Sequence, residues 1–305
     1  MYRTLTHSGK RKFNKAEFFH FAFYMGFLIV PIVHFFVFYL FVNMNSFILA
    51  FQSYKFDYIG NDGLVASFAG FENFKIAWEA VAEKPTMMGY SFLFVSIDLF
   101  ISQPLAILAS YYIYKKKPGS GFFRFVLYLP QVLSSIVLGI LFKYAIQIFG
   151  MDILVNDNSK LWMMVFFNIL MSFGVNVLLY SNAMGNVNPS LIESASLEGA
   201  NTLQILWHVV LPKIYPTIIS LAIVIVSQLF TSQYQVFNIH GQDAQGLENI
   251  GYFIYKTSLN SNLEGTIDSI SYPALSALGL SLTAIIVPIT FLTKFLLAKF
   301  GPKED

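Results

Sequence analysis

Cysteine is absent from the 305 residues, which excludes disulfides, thiolate metal sites, iron–sulfur clusters and thiol nucleophiles. Charge is scarce as well. Only 12% of residues are Asp, Glu, Lys or Arg, about half the share of an ordinary soluble domain. Internal repeats, low-complexity tracts and the Gly-x-x-x-x-Gly-Lys-Ser/Thr phosphate loop are missing too, so an array is excluded and ATP has no place to bind on this chain. No cluster of catalytic type, such as paired acids or a Ser with His and Asp in reach, stands out, and His20 and His34 have no metal-ligand partner at i+4. What is abundant is apolar surface: 56% hydrophobic residues, 33 of them Phe, with a mean hydropathy of +0.60. Such a chain has lipid as its solvent.

A bilayer core is crossed by about 20 apolar helical residues. Six stretches meet that length: Phe18–Val42, Met88–Tyr114, Phe122–Phe149, Leu161–Asn182, Ile214–Phe237 and Tyr272–Leu297. Pro31, Pro104, Pro130 and Pro288 fall inside them, which a membrane bundle tolerates because neighbours re-satisfy the freed carbonyls. The first stretch is too long for a signal-peptide core and no small-residue cleavage site follows it, so it is expected to stay in the mature protein. The expected fold is all-α and integral to the membrane, with six transmembrane helices.

Lys and Arg are unevenly shared between the two sets of loops. The N-terminus, second loop, fourth loop and C-terminus hold Arg3, Lys10, Arg11, Lys12, Lys15, Lys115, Lys116, Lys117, Arg124, Lys213, Lys294, Lys299 and Lys303, against Lys55, Lys75, Lys84, Lys160 and Lys256 on the other side. Those outer loops carry most of the acids, among them Asp57, Asp62, Glu72, Glu79, Glu83, Asp152, Asp157, Asp243, Glu248, Glu264 and Asp268. The positive-inside rule then puts both termini in the cytoplasm. Residues 1–17 form a basic cytoplasmic tail, 18–87 the first helix with its outer loop, 88–297 the core domain and 298–305 a cytoplasmic tail. Residues 43–87 and 238–271 are long enough to make an outer platform on which a partner could dock.

The fourth loop departs from the pattern: it is cytoplasmic and nearly free of positive charge. Asn188 is a good N-cap and Pro189 suits a first helical position. A short helix should run to Glu198, and Gly199 can adopt the left-handed conformation that ends it. Thr202 can cap a second short helix, which Pro212 should terminate. Two readings remain open from the residues alone. The pair could rest on lipid headgroups, although such helices are usually basic, or its acids Glu193 and Glu198 could meet a basic groove on a soluble protein.

This segment resembles the "EAA" loop of permeases from binding-protein-dependent ABC importers, whose pattern is Glu-Ala-Ala, three variable residues, Gly-Ala, then an apolar position and Leu-Pro about a dozen residues later. Glu193, Ala195, Gly199, Ala200, Val209, Leu211 and Pro212 match, with Pro189 before and Pro216 after. Ser194 replaces the first Ala, and Glu198 stands where Asp is usual. The resemblance covers roughly residues 90–297 and implies a type I ABC importer permease fold. It implies that residues 186–212 are a coupling loop held in a groove of an ATPase, with Glu193, Ala195, Glu198, Gly199, Ala200, Leu211 and Pro212 as the coupling residues. ATP and Mg would then sit on two cytoplasmic ATPase subunits, and this chain would be no enzyme. A second homologous permease and an extracytoplasmic solute-binding protein complete the implied assembly, in a bacterial cytoplasmic membrane with lipid around it and no nucleic acid. Ala69-Gly70-Phe71-Glu72-Asn73-Phe74 is similar to an element of sugar permeases of the maltose and glycerol-3-phosphate type, so a sugar or oligosaccharide is the expected cargo, with glycerol-3-phosphate or another small polar solute as the alternative. A stand-alone secondary transporter is the rival class, though such proteins often show inverted repeats.

Polar residues inside spans invite a functional reading. Asn168, Ser172 and Asn176 recur every fourth residue; Ser227 and Thr231 make a second pair, and Gln228, Ser232 and Gln235 an adjacent face. Neutral donors and acceptors of this kind suit a sugar, while helix–helix hydrogen bonding would use the same residues. Asp98, alone in mid-span, is expected to pair with a polar neighbour or to stay protonated, with contact to substrate or a proton as its other reading.

Overall fold

The computed structural model describes residues 15–57, 63–148, 157–244, 246–262 and 270–302. The basic residues Arg3, Lys10, Arg11, Lys12 and Lys303 and the acids Asp62, Asp152, Glu264 and Asp268 lie outside the described residues, and with them most of the two tails. The described chain is helical but for one hairpin and the turns and irregular stretches that join the helices. We number its elements α1 (Phe19–Ala50), β1 (Gln52–Asp57) and β2 (Gly63–Phe68), α2 (Glu72–Ala82), α3 (Thr86–Tyr114), α4 (Ser120–Val132) and α5 (Ser135–Ile148), α6 (Asp157–Gly185), α7 (Pro189–Leu197), α8 (Thr202–Ser227), α9 (Val236–His240), α10 (Ile250–Asn260) and α11 (Tyr272–Phe300). Among the described residues, α1, α3, α6, α8 and α11 are each long and apolar enough to cross a membrane, and α4 with α5 adds a sixth if the bent pair is one span.

The first helix runs past its expected end at Val42 to Ala50. The amide of Asn43 donates to the Tyr39 carbonyl at 2.6 Å and the Ser46 hydroxyl to that of Val42 at 3.2 Å, so these polar side chains are satisfied by their own helix and do not end it. Residues 19–45 are exposed throughout within this chain, a Phe-rich surface suited to lipid. The hairpin follows directly, paired antiparallel from Gln52↔Phe68 to Asp57↔Gly63. Asn73, buried at the start of α2, donates to the carbonyls of Ala50 (2.9 Å) and Gln52 (2.8 Å) and so ties helix, hairpin and α2 together. Gly70, at φ +55, makes the turn that brings Asn73 there.

Two prolines sit just beyond π-helical turns. In α3 the turn is Asp98–Ser102, followed by Pro104; in α8 it is Leu206–Val210, followed by Pro212. Proline lacks a donor and its ring crowds the carbonyl four residues earlier; a widened turn at that point absorbs both defects. The expectation that Pro212 ends a short helix is therefore wrong. The second short helix of the fourth loop and the fifth span are one continuous element.

The third stretch, expected as a single helix 122–149, is broken instead. Its halves α4 and α5 meet at 109°, with Leu133 extended at the joint (φ −92, ψ 151). Pro130 weakens the helix there, and tertiary contacts hold the bend. The Gln131 amide donates to the Met171 carbonyl of α6. Gly174 lets the α6 backbone lie against the Leu127 carbonyl of α4, where any Cβ would overlap it, and a Cβ on Gly139 of α5 would come 2.6 Å from the Asn238 carbonyl. The fifth span also ends early, at Ser227 rather than Phe237. Residues 228–235 leave the helix, and Tyr234 and Gln235 both have positive φ (47 and 63). Asn249 holds this irregular stretch by donating to the Ser232 carbonyl at 2.7 Å.

The interior divides into two apolar clusters. One packs Phe94, Phe167, Tyr234, Tyr252 and Leu278 toward the end that carries α2 and α10. The other packs Ala106, Tyr111, Val177, Tyr180, Met184, Leu206 and Ile214 beneath the α7–α8 junction. Lipid tails are as apolar as these side chains, so close packing and interhelical hydrogen bonds, more than exclusion of apolar surface, hold them.

Candidate functional site: the α7–α8 elbow and the polar column beneath it

The elbow is built from caps. The Asn188 side chain accepts from the Ser190 amide at 3.1 Å, and Pro189 fills the first helical position of α7. At the other end, the Ala200 amide donates to the Ala195 carbonyl (3.0 Å) and the Gly199 amide to the Ser196 carbonyl (3.1 Å), the paired bonds of a Schellman motif. That motif needs a left-handed residue, and Gly199 supplies it at φ +86. The next helix is capped by Asn201, not by Thr202 as expected. Asn201 Oδ1 accepts from the Gln204 amide (2.9 Å) while Gln204 Oε1 accepts from the Asn201 amide (2.7 Å), a reciprocal capping box. The Asn–Gln pair three residues apart was readable in the sequence and outranks the adjacent threonine.

One side of the elbow is fastened down. The Tyr111 hydroxyl of α3 donates to the Thr202 carbonyl at 3.0 Å. Ile192, Ala195, Ala200, Val209 and Leu211 pack against the cluster formed by Ile205, Leu206 and Val210. The small side chains at 195 and 200 are what lets the two arms approach the bundle. The opposite side is bare: Glu193 and Glu198 are exposed, and so are Leu197 (90%), Leu203 (60%) and Trp207 (63%). Leu211 and Pro212, half-buried, line an apolar cavity of about 530 Å³ with Trp207, Tyr215 and Pro104. The result is a capped elbow that exposes three apolar side chains and two acids.

Beneath it runs a column of interhelical hydrogen bonds between α3 and α6. Asn168 is buried and donates to both carboxylate oxygens of Asp98, at 3.2 and 3.4 Å. The hydroxyls of Ser102 and Ser172 lie 3.4 Å apart. The Tyr180 hydroxyl donates to Gln103 Oε1, and the Ser110 hydroxyl to the Val177 carbonyl at 2.9 Å. Asp98 thus has a polar neighbour in Asn168, and Asn168 and Ser172 bind helix to helix. The partners on α3 were missed, although Asp98 and Ser102 repeat the four-residue spacing of Asn168 and Ser172.

The other polar candidates do not form two helix faces, because residues 228–235 are not helical. Ser227 is exposed and donates to the Val224 carbonyl at 2.7 Å. Ser232 Oγ accepts from the Tyr234 amide at 3.2 Å, and Gln235 Oε1 accepts from Asn238. Asn176, half-buried, and the exposed Gln228 and Thr231 make no side-chain hydrogen bond among the described residues.

A bundle of apolar helices joined by interhelical polar pairs, with a two-helix elbow at one end, suits the transmembrane part of a transport machine. Residues 102–304 match the family described as binding-protein-dependent transport system inner membrane component, and the chain belongs to that family. A probable ABC transporter permease of Mycoplasma pneumoniae is 32% identical over 181 residues, 53% of this chain and 54% of that protein; the match spans about half the length of that relative. The arabinooligosaccharides transport system permease protein of Bacillus subtilis is 26% identical over 290 residues, 88% of this chain and 86% of that one. Among solved structures, a bacterial ABC transporter involved in the import of the acidic polysaccharide alginate superposes with a TM-score of 0.71 over 94% of this chain and 97% of that chain, at 19% identity.

Proposed function

We propose that this chain is the permease subunit of an ATP-driven importer for a sugar or oligosaccharide, and that the α7–α8 elbow couples it to an ATPase. The observation that carries the reading is the contrast between the two sides of the elbow. Its inner side is pinned by Tyr111 and packed on the bundle, while Leu197, Leu203, Trp207, Glu193 and Glu198 stand exposed. Aromatic and aliphatic anchors of this kind fill pockets on protein partners, and the acids suit a basic rim. Closing of an ATPase dimer would push on the projection, and the firmly capped elbow would pass that movement to α3 and α8 as a rigid body. Both termini face the cytoplasm in this reading.

Sugar as cargo is supported by the arabinooligosaccharide transport of the Bacillus relative and by the neutral polar groups within and just beyond the spans. Asn176, Gln228 and Thr231 have free donors and acceptors, and polar groups at membrane depth face a bundle interior or a water-filled path. Such groups can exchange hydrogen bonds with sugar hydroxyls. A second homologous permease supplies the other half of that path, a solute-binding protein delivers the cargo to the outer platform, and ATP with Mg is bound and hydrolysed on the ATPase subunits. Reconstitution of the chain with these partners in proteoliposomes tests the proposal. Uptake of sugar should require ATP and the ATPase; uptake by this chain without them would instead mark a secondary transporter.

A further inference from the structure

We infer that the turn between α3 and α4 holds an anionic phospholipid, its phosphate in a basic cavity and an acyl chain in the apolar groove beside it. The cavity, about 740 Å³, lies between the end of α3, the start of α4, the end of α6 and the start of α7. Lys116 and Arg124 supply its charge, and Ser120, Ser181, Asn182 and Asn186 its neutral donors. No acid lines it, and neither Lys116 nor Arg124 forms an ion pair among the described residues. The start of α4 opens into it: Gly121 lines the wall, a Cβ there would meet nothing within 4 Å, and α4 has no side-chain cap. Guanidinium, ammonium and uncapped amides together are the donor set that a phosphodiester needs.

A second observation sets a lipid above a free anion or a protein partner. The same turn borders a groove of about 490 Å³ lined by Ala109, Tyr112, Pro118, Gly119, Phe122 and Phe123, nearly all of it apolar. The Tyr112 hydroxyl donates to the Pro118 carbonyl at 2.6 Å and fixes the turn between the two spaces. Tyr114 and Gly185 are the last residues of their spans, so the basic cavity lies at headgroup depth and Ala109 lies toward the acyl region. A charged space and an apolar space on either side of one turn match an amphiphile. An acidic protein segment would leave the groove empty, and inorganic phosphate has nothing to place there. The bound lipid would bridge the α3–α4 turn and Pro189, the first residue of α7, so its presence would stiffen the base of the elbow. The inference does not depend on the cargo or on the ATPase.

The test uses the full chain in neutral detergent, offered phosphatidylglycerol or phosphatidylcholine with identical acyl chains, with bound lipid counted by native mass spectrometry. Inorganic phosphate is titrated in parallel. Phosphatidylglycerol should be retained in preference to phosphatidylcholine, and Lys116→Gln with Arg124→Gln should weaken that retention about thirtyfold, the effect of two juxtamembrane cations. Gly121→Asp is the second variant. It puts a carboxylate into the open cavity at a helix N-terminus, where an acid favours folding, and it should abolish the preference in a folded protein. Equal retention of the two lipids by the wild-type chain overturns the inference. So does binding of inorganic phosphate that is lost in the variants without any lipid preference, which would make this a free-anion site. Unchanged phosphatidylglycerol binding in variants that no longer co-purify with an ATPase would overturn it too and assign the cavity to the protein partner.

Discussion

Gly199→Val isolates the elbow from everything else in the molecule. Gly199 sits at φ +86, and a Cβ there would meet nothing within 4 Å, so the substitution creates no clash and leaves the spans untouched. Its whole effect is conformational. Holding an L-residue in the left-handed region costs about 1–2 kcal/mol, and a β-branched residue lies at the upper end because its rotamers are restricted as well. The chain relieves the strain by giving up the Schellman bonds from Ala200 to Ala195 and from Gly199 to Ser196. A penalty of that size shifts the equilibrium between the correctly angled elbow and its relaxed alternatives by about 5- to 30-fold. ATP-driven sugar uptake in proteoliposomes should fall by up to that factor, while expression, membrane insertion and basal ATP hydrolysis by the partner subunit persist. Gly199→Asn is the control, because Asn visits the left-handed region far more readily; it should retain most of the uptake. Wild-type uptake by the valine variant would refute the reasoning, and so would an asparagine variant as impaired as valine.

Glu193→Lys places a cation on the exposed flank of α7 and should reduce co-purification of the ATPase by roughly tenfold, an effect that added salt diminishes because the contact is electrostatic; an unchanged yield would remove Glu193 from the contact. Gln228→Ala combined with Thr231→Ala deletes two exposed polar side chains that make no side-chain hydrogen bond among the described residues, so melting temperature should hold while uptake drops; normal uptake would show that they lie off the path. Asp98→Ala leaves the buried Asn168 amide without its partner and should destabilise the bundle by about 1–3 kcal/mol. Asp98→Asn, which keeps an acceptor, should recover most of that loss; thermal unfolding in detergent reads both.

The spans and the elbow were legible because each is encoded locally. Twenty apolar residues are enough to name a crossing helix, and Asn188-Pro189 with Gly199 states where α7 begins and ends. What the sequence concealed is fixed from a distance. The apolar run 122–149 carries no sign of a 109° bend beyond Pro130, since the contacts that hold it come from Met171 and Gly174 on another helix. Pro212 read as a terminator because the widened turn at Leu206–Val210 has no signature of its own. The faces proposed for Gln228, Thr231, Ser232 and Gln235 assumed a helix that the Asn249 side chain, 17 residues beyond Ser232, helps to replace with irregular backbone. Local chemistry therefore located the elbow, whereas the inner polar surface depended on long-range bonds.

Because the chain contains no cysteine, Leu197→Cys introduces a single reactive thiol at the most exposed apolar side chain of the elbow. A short thiol-to-amine cross-linker applied to the transport-competent complex should join this chain to the ATPase subunit, and the yield should change between the nucleotide-free and ATP-bound states. A complex that imports sugar while that thiol reacts only with lipid or solvent would contradict the account.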